Sequence, residues 1–194
     1  MVIDTLVEGI TDEAVARKLI EYTSHSFGTG YGKHGKDYLK KKLFGFNERT
    51  RYGNPILALV DLMDTGLWCA PEVVTVWLPD RFPRMLFRVV VRELESWLLA
   101  DTKGIADYLK IAETLIPKNP EVLTDPKQTL VNLARRSRLR KIKEAMIPAA
   151  GVSTVVGPAY TAAIEEFVIR HWNVNSALNR APGLQSCISR LREL

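Results

Sequence analysis

Short apolar runs that end in acids recur along the first half of the chain. Residues 2–7 read Val-Ile-Asp-Thr-Leu-Val and pass at once into Glu8 and Gly9. Residues 56–60, Ile-Leu-Ala-Leu-Val, end in Asp61, and residues 86–91 run into Arg92, Glu93, Leu94 and Glu95. Continuous runs of this length, rich in β-branched residues, predict buried strands of a parallel sheet. A further run at 73–78, bounded by Pro71 and Pro79, predicts another strand. Between the first two runs, Thr11 is the expected N-cap of a helix whose first turn carries Asp12 and Glu13 and whose buried stripe is Val15, Leu19 and Ile20. A glycine-rich connection at 27–35 then leads to a basic helix at 37–44.

From Glu93 onward the pattern turns helical, with segments expected at 93–100, 103–109, 127–134, 138–146, 160–172 and 184–194, separated by prolines and glycines. The expectation is an α/β fold: about four mainly parallel strands with flanking helices, followed by a mainly helical C-terminal part. The change in pattern near Asp101 divides the chain into a core at 1–101 and a helical extension at 102–194, packed on that core.

Composition narrows the class. The 194 residues are 46% hydrophobic and 25% charged, as in a globular protein with a sizeable core. No apolar run approaches the ~20 residues needed to cross a bilayer, and Asp4 and Glu8 argue against a leader peptide, so a cytoplasmic protein without a membrane partner is expected. Cys69 and Cys187 lack metal-type spacing and are expected as reduced thiols. The formal net charge of +5 is concentrated in two places. Lys33, Lys36, Lys40, Lys41 and Lys42 form one cluster; Arg135, Arg136, Arg138, Arg140, Lys141 and Lys143 form the other. The second run has no acid inside it, so pairing along a helix does not neutralise it locally, and an anionic surface such as a phosphate backbone explains it better than a solvated face.

Strands that each deliver an acid to one rim of a sheet make the pattern of a magnesium site, because that hard ion takes oxygen ligands from a few carboxylates plus substrate phosphates. Glu8, Asp61 and Glu95 are the principal candidates. Asp64 is a fourth, since two acids flanking one turn repel each other unless a cation lies between them. Each has a plainer reading: Glu8 and Asp12 as helix-start acids, Asp64 as the turn residue that Thr65 and Gly66 suggest. Of the two acids after the last strand, Glu95 is expected near the core and Glu93 solvated, with Asp101 a helix cap. Gly30 to Lys36 fits the opening of a phosphate loop, but Asp37 stands where a hydroxyl must hold magnesium, so the segment is read first as a plain flexible loop and, alternatively, as one that closes on substrate through Lys33 and Lys36.

Val7-Glu8-Gly9-Ile10-Thr11-Asp12, followed by an acid-rich turn after a later strand, resembles the Toprim fold of primases, topoisomerases and overcoming-lysogenization-defect (OLD) nucleases. The segment from Arg92 to Asp101 is similar to a Toprim-like bacterial family of unassigned function found near phage-defence genes. The resemblance implies phosphodiester chemistry dependent on Mg2+ (or Mn2+), with Glu8 as the invariant glutamate and Asp61 as the first metal aspartate. Asp61 and Asp64 depart from the Asp-x-Asp spacing of that fold. The implied protein is a nuclease or nuclease subunit acting on DNA or RNA, with a partner ATPase or other defence-system protein. The alternative is a non-catalytic nucleic-acid- or protein-binding subunit.

Overall fold

The apolar strand β1 (Val2–Val7) lies inside a four-stranded, all-parallel sheet of order β2-β1-β3-β4, with β2 at Ser26–Gly32, β3 at Ile56–Asp61 and β4 at Met85–Val90. Every residue of β3 is buried, which is why its sequence shows no polar alternation. The computed structural model describes all 194 residues, in two compact units: residues 1–91 with 183–194, and residues 92–182.

In the first unit, α1 (Ile10–Tyr22) links β1 to β2, and α2 (Gly35–Arg49) links β2 to β3. Because β2 and β3 flank β1 on opposite sides, right-handed crossovers place these two helices on opposite faces of the sheet. Leu6, Ile56, Ala58, Val60, Met85 and Phe87 share one face and pack with Leu39 and Leu43 of α2 and Val73 of α4 (Ala70–Trp77). A single turn, α3 (Leu62–Thr65), follows β3 directly and stops at Gly66 in the left-handed region, φ 72°. The last helix, α11 (Pro182–Arg192), returns to this unit, where Arg88 donates to the Ser186 hydroxyl at 2.6 Å and the His25 ring meets the Leu191 carbonyl at 2.9 Å.

Two sequence expectations change here. Residues 73–78, read as a strand, are the last five residues of helix α4 and its C-cap Leu78: Pro71 sits in the first turn, where the missing N–H costs nothing. β-branched content favoured strand, but Val73 with Trp77 and Val74 with Leu78 are spaced for a helix that packs on the sheet face, and this packing overrides propensity. The missing fourth strand is β2, in the glycine-rich stretch read as a connection. Its glycines allow close approach, since a Cβ on Gly28 or Gly30 would collide with the Asp4 or Glu13 carboxylate.

The second unit is helical: α5 (Glu95–Ala100), α6 (Thr102–Leu109), α7 (Pro126–Arg135), α8 (Arg140–Met146), α9 (Tyr160–Arg170) and α10 (Val174–Leu178). All six residues of α5 are buried, and α7 and α10 pack on it. Asp101 caps α6 through the Gly104 N–H at 3.1 Å and also accepts the Asn173 N–H at 2.8 Å, tying α6 to the start of α10. The unit begins at Arg92, nine positions before the composition change at Asp101, because the apolar stretch after β4 is already this unit's central helix.

Candidate functional site

Order β2-β1-β3-β4 reverses direction between β1 and β3, and in open parallel sheets the crevice outside the strand ends at such a reversal is where ligands bind. Glu8 leaves the end of β1 and Asp61 ends β3, so the two acids flank that point. They touch: the Asp61 N–H donates to Glu8 Oε1 at 3.3 Å. Asp61 is buried and Glu8 half-buried.

Helix α1 starts from Gly9 rather than Thr11. The Asp12 carboxylate accepts the Gly9 N–H at 2.9 Å, which caps the helix and holds a second acid beside Glu8. Asp64, exposed on α3, supplies a third negative field. Burial first, then Asp12, then Asp64 push the Glu8 carboxyl up to about 7, against smaller opposing effects from the Asp61 N–H and Lys36. A carboxyl poised near neutrality in a crowd of acids suits either proton transfer or capture of a cation.

The segment after β2 closes over the same rim. Lys33 donates its N–H to the Val7 carbonyl at 2.8 Å, and Gly35 donates to the Glu8 carbonyl at 3.0 Å. Gly32 makes this fit possible: at φ 95° it lies in the left-handed region, and a Cβ there would run into the Val7 carbonyl oxygen. Lys36 is thereby brought into the electrostatic neighbourhood of Glu8. Lys33 is committed elsewhere, its ammonium bonded to Glu13 at 2.8 Å. Behind the rim, the buried Asp4 accepts from the Thr29 N–H at 2.9 Å, the Asn54 amide at 3.3 Å and the Arg49 guanidinium at 3.3 Å, so β1 is tied to β2 and to both ends of the α2–β3 connection.

The donor set Glu8, Asp61 and Asp64 is all oxygen, which suits Mg2+ or Mn2+. Nowhere in the chain do three or more His, Cys, Asp or Glu side chains stand together as a ready-made metal group. What the rim offers is the Glu8 carboxylate on the Asp61 backbone N–H, with Asp12 and Asp64 acting on it, and magnesium is commonly held by one or two carboxylates, its remaining positions filled by water and phosphate oxygens.

Glu95 belongs to the second unit, with different company. Its carboxylate accepts the Tyr160 hydroxyl at 2.9 Å and lies 3.8 Å from the Lys127 ammonium. Burial raises its carboxyl to about 6 while Lys127 opposes that rise. Glu93, expected to be solvated, is 7% exposed and accepts both the backbone N–H and the ammonium of Lys127, at 2.9 and 3.1 Å. The reason is that α5 begins at Glu95, and the turn before it folds Glu93 onto the start of α7. Lys127 is the residue that sequence reasoning passed over, although its place just after Pro126 at a helix start marks it as an ordered position.

The basic run also differs in detail from its expectation. Arg135, Arg136, Arg138, Arg140 and Lys141 are all exposed. Glu144, just beyond the run, pairs with Arg140 at 2.7 Å, and Glu166 lies 3.9 Å from Lys141, so neutralisation comes from acids outside the counted stretch.

The chain matches no family model, and no solved structure matches it. It is 31% identical over 135 residues to sodium-coupled neutral amino acid transporter 4 of Rattus norvegicus, a match covering 66% of this chain and 23% of that protein. The chain thus spans under a quarter of the transporter's length, and none of its helices is long and apolar enough to cross a membrane.

Proposed function

We propose that the first unit is a Toprim-like phosphodiesterase core and that the chain acts as a Mg2+- or Mn2+-dependent nuclease or nuclease subunit, in phage defence or repair, beside a partner ATPase or other defence-system protein. One observation carries the reading: the Glu8 carboxylate meets the Asp61 backbone N–H at the strand-order reversal, and burial first, then Asp12 and Asp64, raise that carboxyl to about 7. Glu8 and Asp61 would hold the ion, with Asp64 reaching it through water. When bound, the ion would supply an activated water and stabilise charge on the phosphate in transit. In the alternative role, without the ion on it, Glu8 would accept or return a proton at its Oε atoms. Lys36 offsets the negative field that would repel a phosphate backbone, and the exposed arginines of the basic run hold such a backbone without reading bases. Glu95 stays outside this scheme because Tyr160 and Lys127 already engage its carboxylate.

The test is cleavage of plasmid, linear and single-stranded DNA and of RNA with Mg2+ or Mn2+, with Glu8→Gln and Asp61→Asn beside the wild type. Loss of about 10²–10⁴-fold in each variant is expected. Cleavage that both variants retain overturns the assignment. A second reading, a non-catalytic nucleic-acid- or protein-binding subunit, is favoured by the lack of any ready-made trio of metal ligands. It predicts salt-dependent binding with no cleavage.

A further inference from the structure

The second unit contains a cleft of about 830 Å³, within the size range of small-molecule sites (about 300–1,000 Å³). One wall is the turn that ends α6. Lys110 closes that helix with a left-handed backbone, φ 53°, and Ile111 returns its N–H to the Ala106 carbonyl at 3.0 Å. The other wall is the link between α7 and α8, where Ser137 is buried and its hydroxyl accepts the Leu139 N–H at 3.0 Å. That bond fixes the link so that Arg136 and Arg138, on either side of Ser137, both line the cleft.

The lining has two chemistries. Lys110, Arg136 and Arg138 are cationic, and neither arginine makes an ion pair. The acid in the cleft, Asp107, is held by Lys103 at 2.8 Å. Ile111, Leu115 and Leu139 supply apolar wall, with Leu115 39% and Leu139 41% exposed. Guanidinium groups favour phosphate through bidentate geometry, and an apolar wall beside them favours a ligand with a flat or apolar body attached to that phosphate.

We propose that this cleft binds a phosphate monoester carrying a nucleobase, either a free mononucleotide or the phosphorylated end of a single strand. The inference deepens the nucleic-acid reading of the basic run and rests on it for the nature of the anion, but it requires nothing of the acids in the first unit. The basic run is then a built site at Arg136 and Arg138 rather than a diffuse field.

The experiment measures binding of the full chain, in EDTA, to a fluorescein-labelled oligothymidylate with and without a 5′-phosphate, with thymidine monophosphate and inorganic phosphate as competitors. The phosphorylated strand should bind more tightly, and R136Q/R138Q should weaken it by at least about tenfold. Removing the same charge from exposed positions outside the cleft, R92Q/K118Q, should change it less than about twofold. Leu139→Ser should weaken thymidine monophosphate while leaving inorganic phosphate unchanged. Competition by thymidine monophosphate points to a free nucleotide, and competition by the strand alone points to a strand end; both support the site. Equal weakening by the two double variants, or no preference for the 5′-phosphate together with no competition by thymidine monophosphate, overturns it. With metal absent, no cleavage occurs, so this result stands apart from the fate of Glu8 and Asp61 in the nuclease assay.

Discussion

Two acid clusters follow apolar stretches in this chain, and the protein treats them in opposite ways. At the sheet rim, the Glu8 carboxylate meets the Asp61 backbone N–H with Asp12 and Asp64 nearby, and that N–H and Lys36 offset them only in part. In the helical unit, Glu93 and Glu95 share Lys127, and Tyr160 donates to Glu95. Burial raises both glutamates, Glu8 to about 7 and Glu95 to about 6, but Glu95 is the more deeply buried of the two and is shifted less. The difference lies in compensation. A buried acid supplied with its own ammonium and hydroxyl is stabilised as a charge, whereas one left among other acids takes up a proton more readily.

The sharpest way to break this contrast is Lys127→Met, which leaves two buried carboxylates without their ammonium. Urea unfolding at pH 7.5 should show a loss of about 3 kcal/mol, shrinking at pH 5 as Glu95 takes up a proton. A loss that does not depend on pH would mean that Lys127 matters only for packing. Tyr160→Phe should cost less, about 2 kcal/mol, by removing a hydrogen bond to a buried charged group; a neutral outcome would argue that Glu95 is satisfied without it.

Glu8→Gln should act in the other direction. Folding raises the Glu8 carboxyl from 4.5 to about 7, so the folded chain holds a proton that the unfolded chain has released, and stability falls as pH rises through that window. Thermal unfolding at pH 8 should find the glutamine variant more stable by about 1–2 kcal/mol, a figure reduced for solvent screening at a half-exposed rim, with no difference at pH 4. A variant less stable than wild type at pH 8 would place Glu8 among the structural acids and end the contrast between the clusters.

How much of this was legible in the sequence differs from element to element. β3 announced itself because a strand buried on both faces needs unbroken apolar residues, and β1 and β4 were legible although Asp4 and Thr5 interrupt the one and Arg88 the other. The count of four parallel strands came out right through two offsetting errors: residues 73–77 lie in helix α4 with Leu78 as its C-cap, and Ser26–Gly32 form β2. The second error has a physical cause. β2 is a strand because β1 lies close beside it, and the glycines that permit this approach are the residues that read locally as loop. In the candidate site, Glu8 and Asp61 were visible as strand-end acids, and parallel neighbours of similar length bring such ends together. The fate of Glu93, and the approach of Glu166 to Lys141, depended on tertiary contacts for which no short window carries a signal, whereas the Arg140–Glu144 pair is an i,i+4 pair that was legible one residue beyond the run.

Gly32 has a consequence for how this protein can vary. With the Val7 carbonyl where any methyl group would have to go, the position admits no other amino acid without prising β2 away from β1. Lys36 hangs four residues further on, so a lesion at a spot with no chemistry of its own would be felt as altered charge around Glu8. In a saturation library, Gly32 should behave like an active-site position although it contributes no functional group.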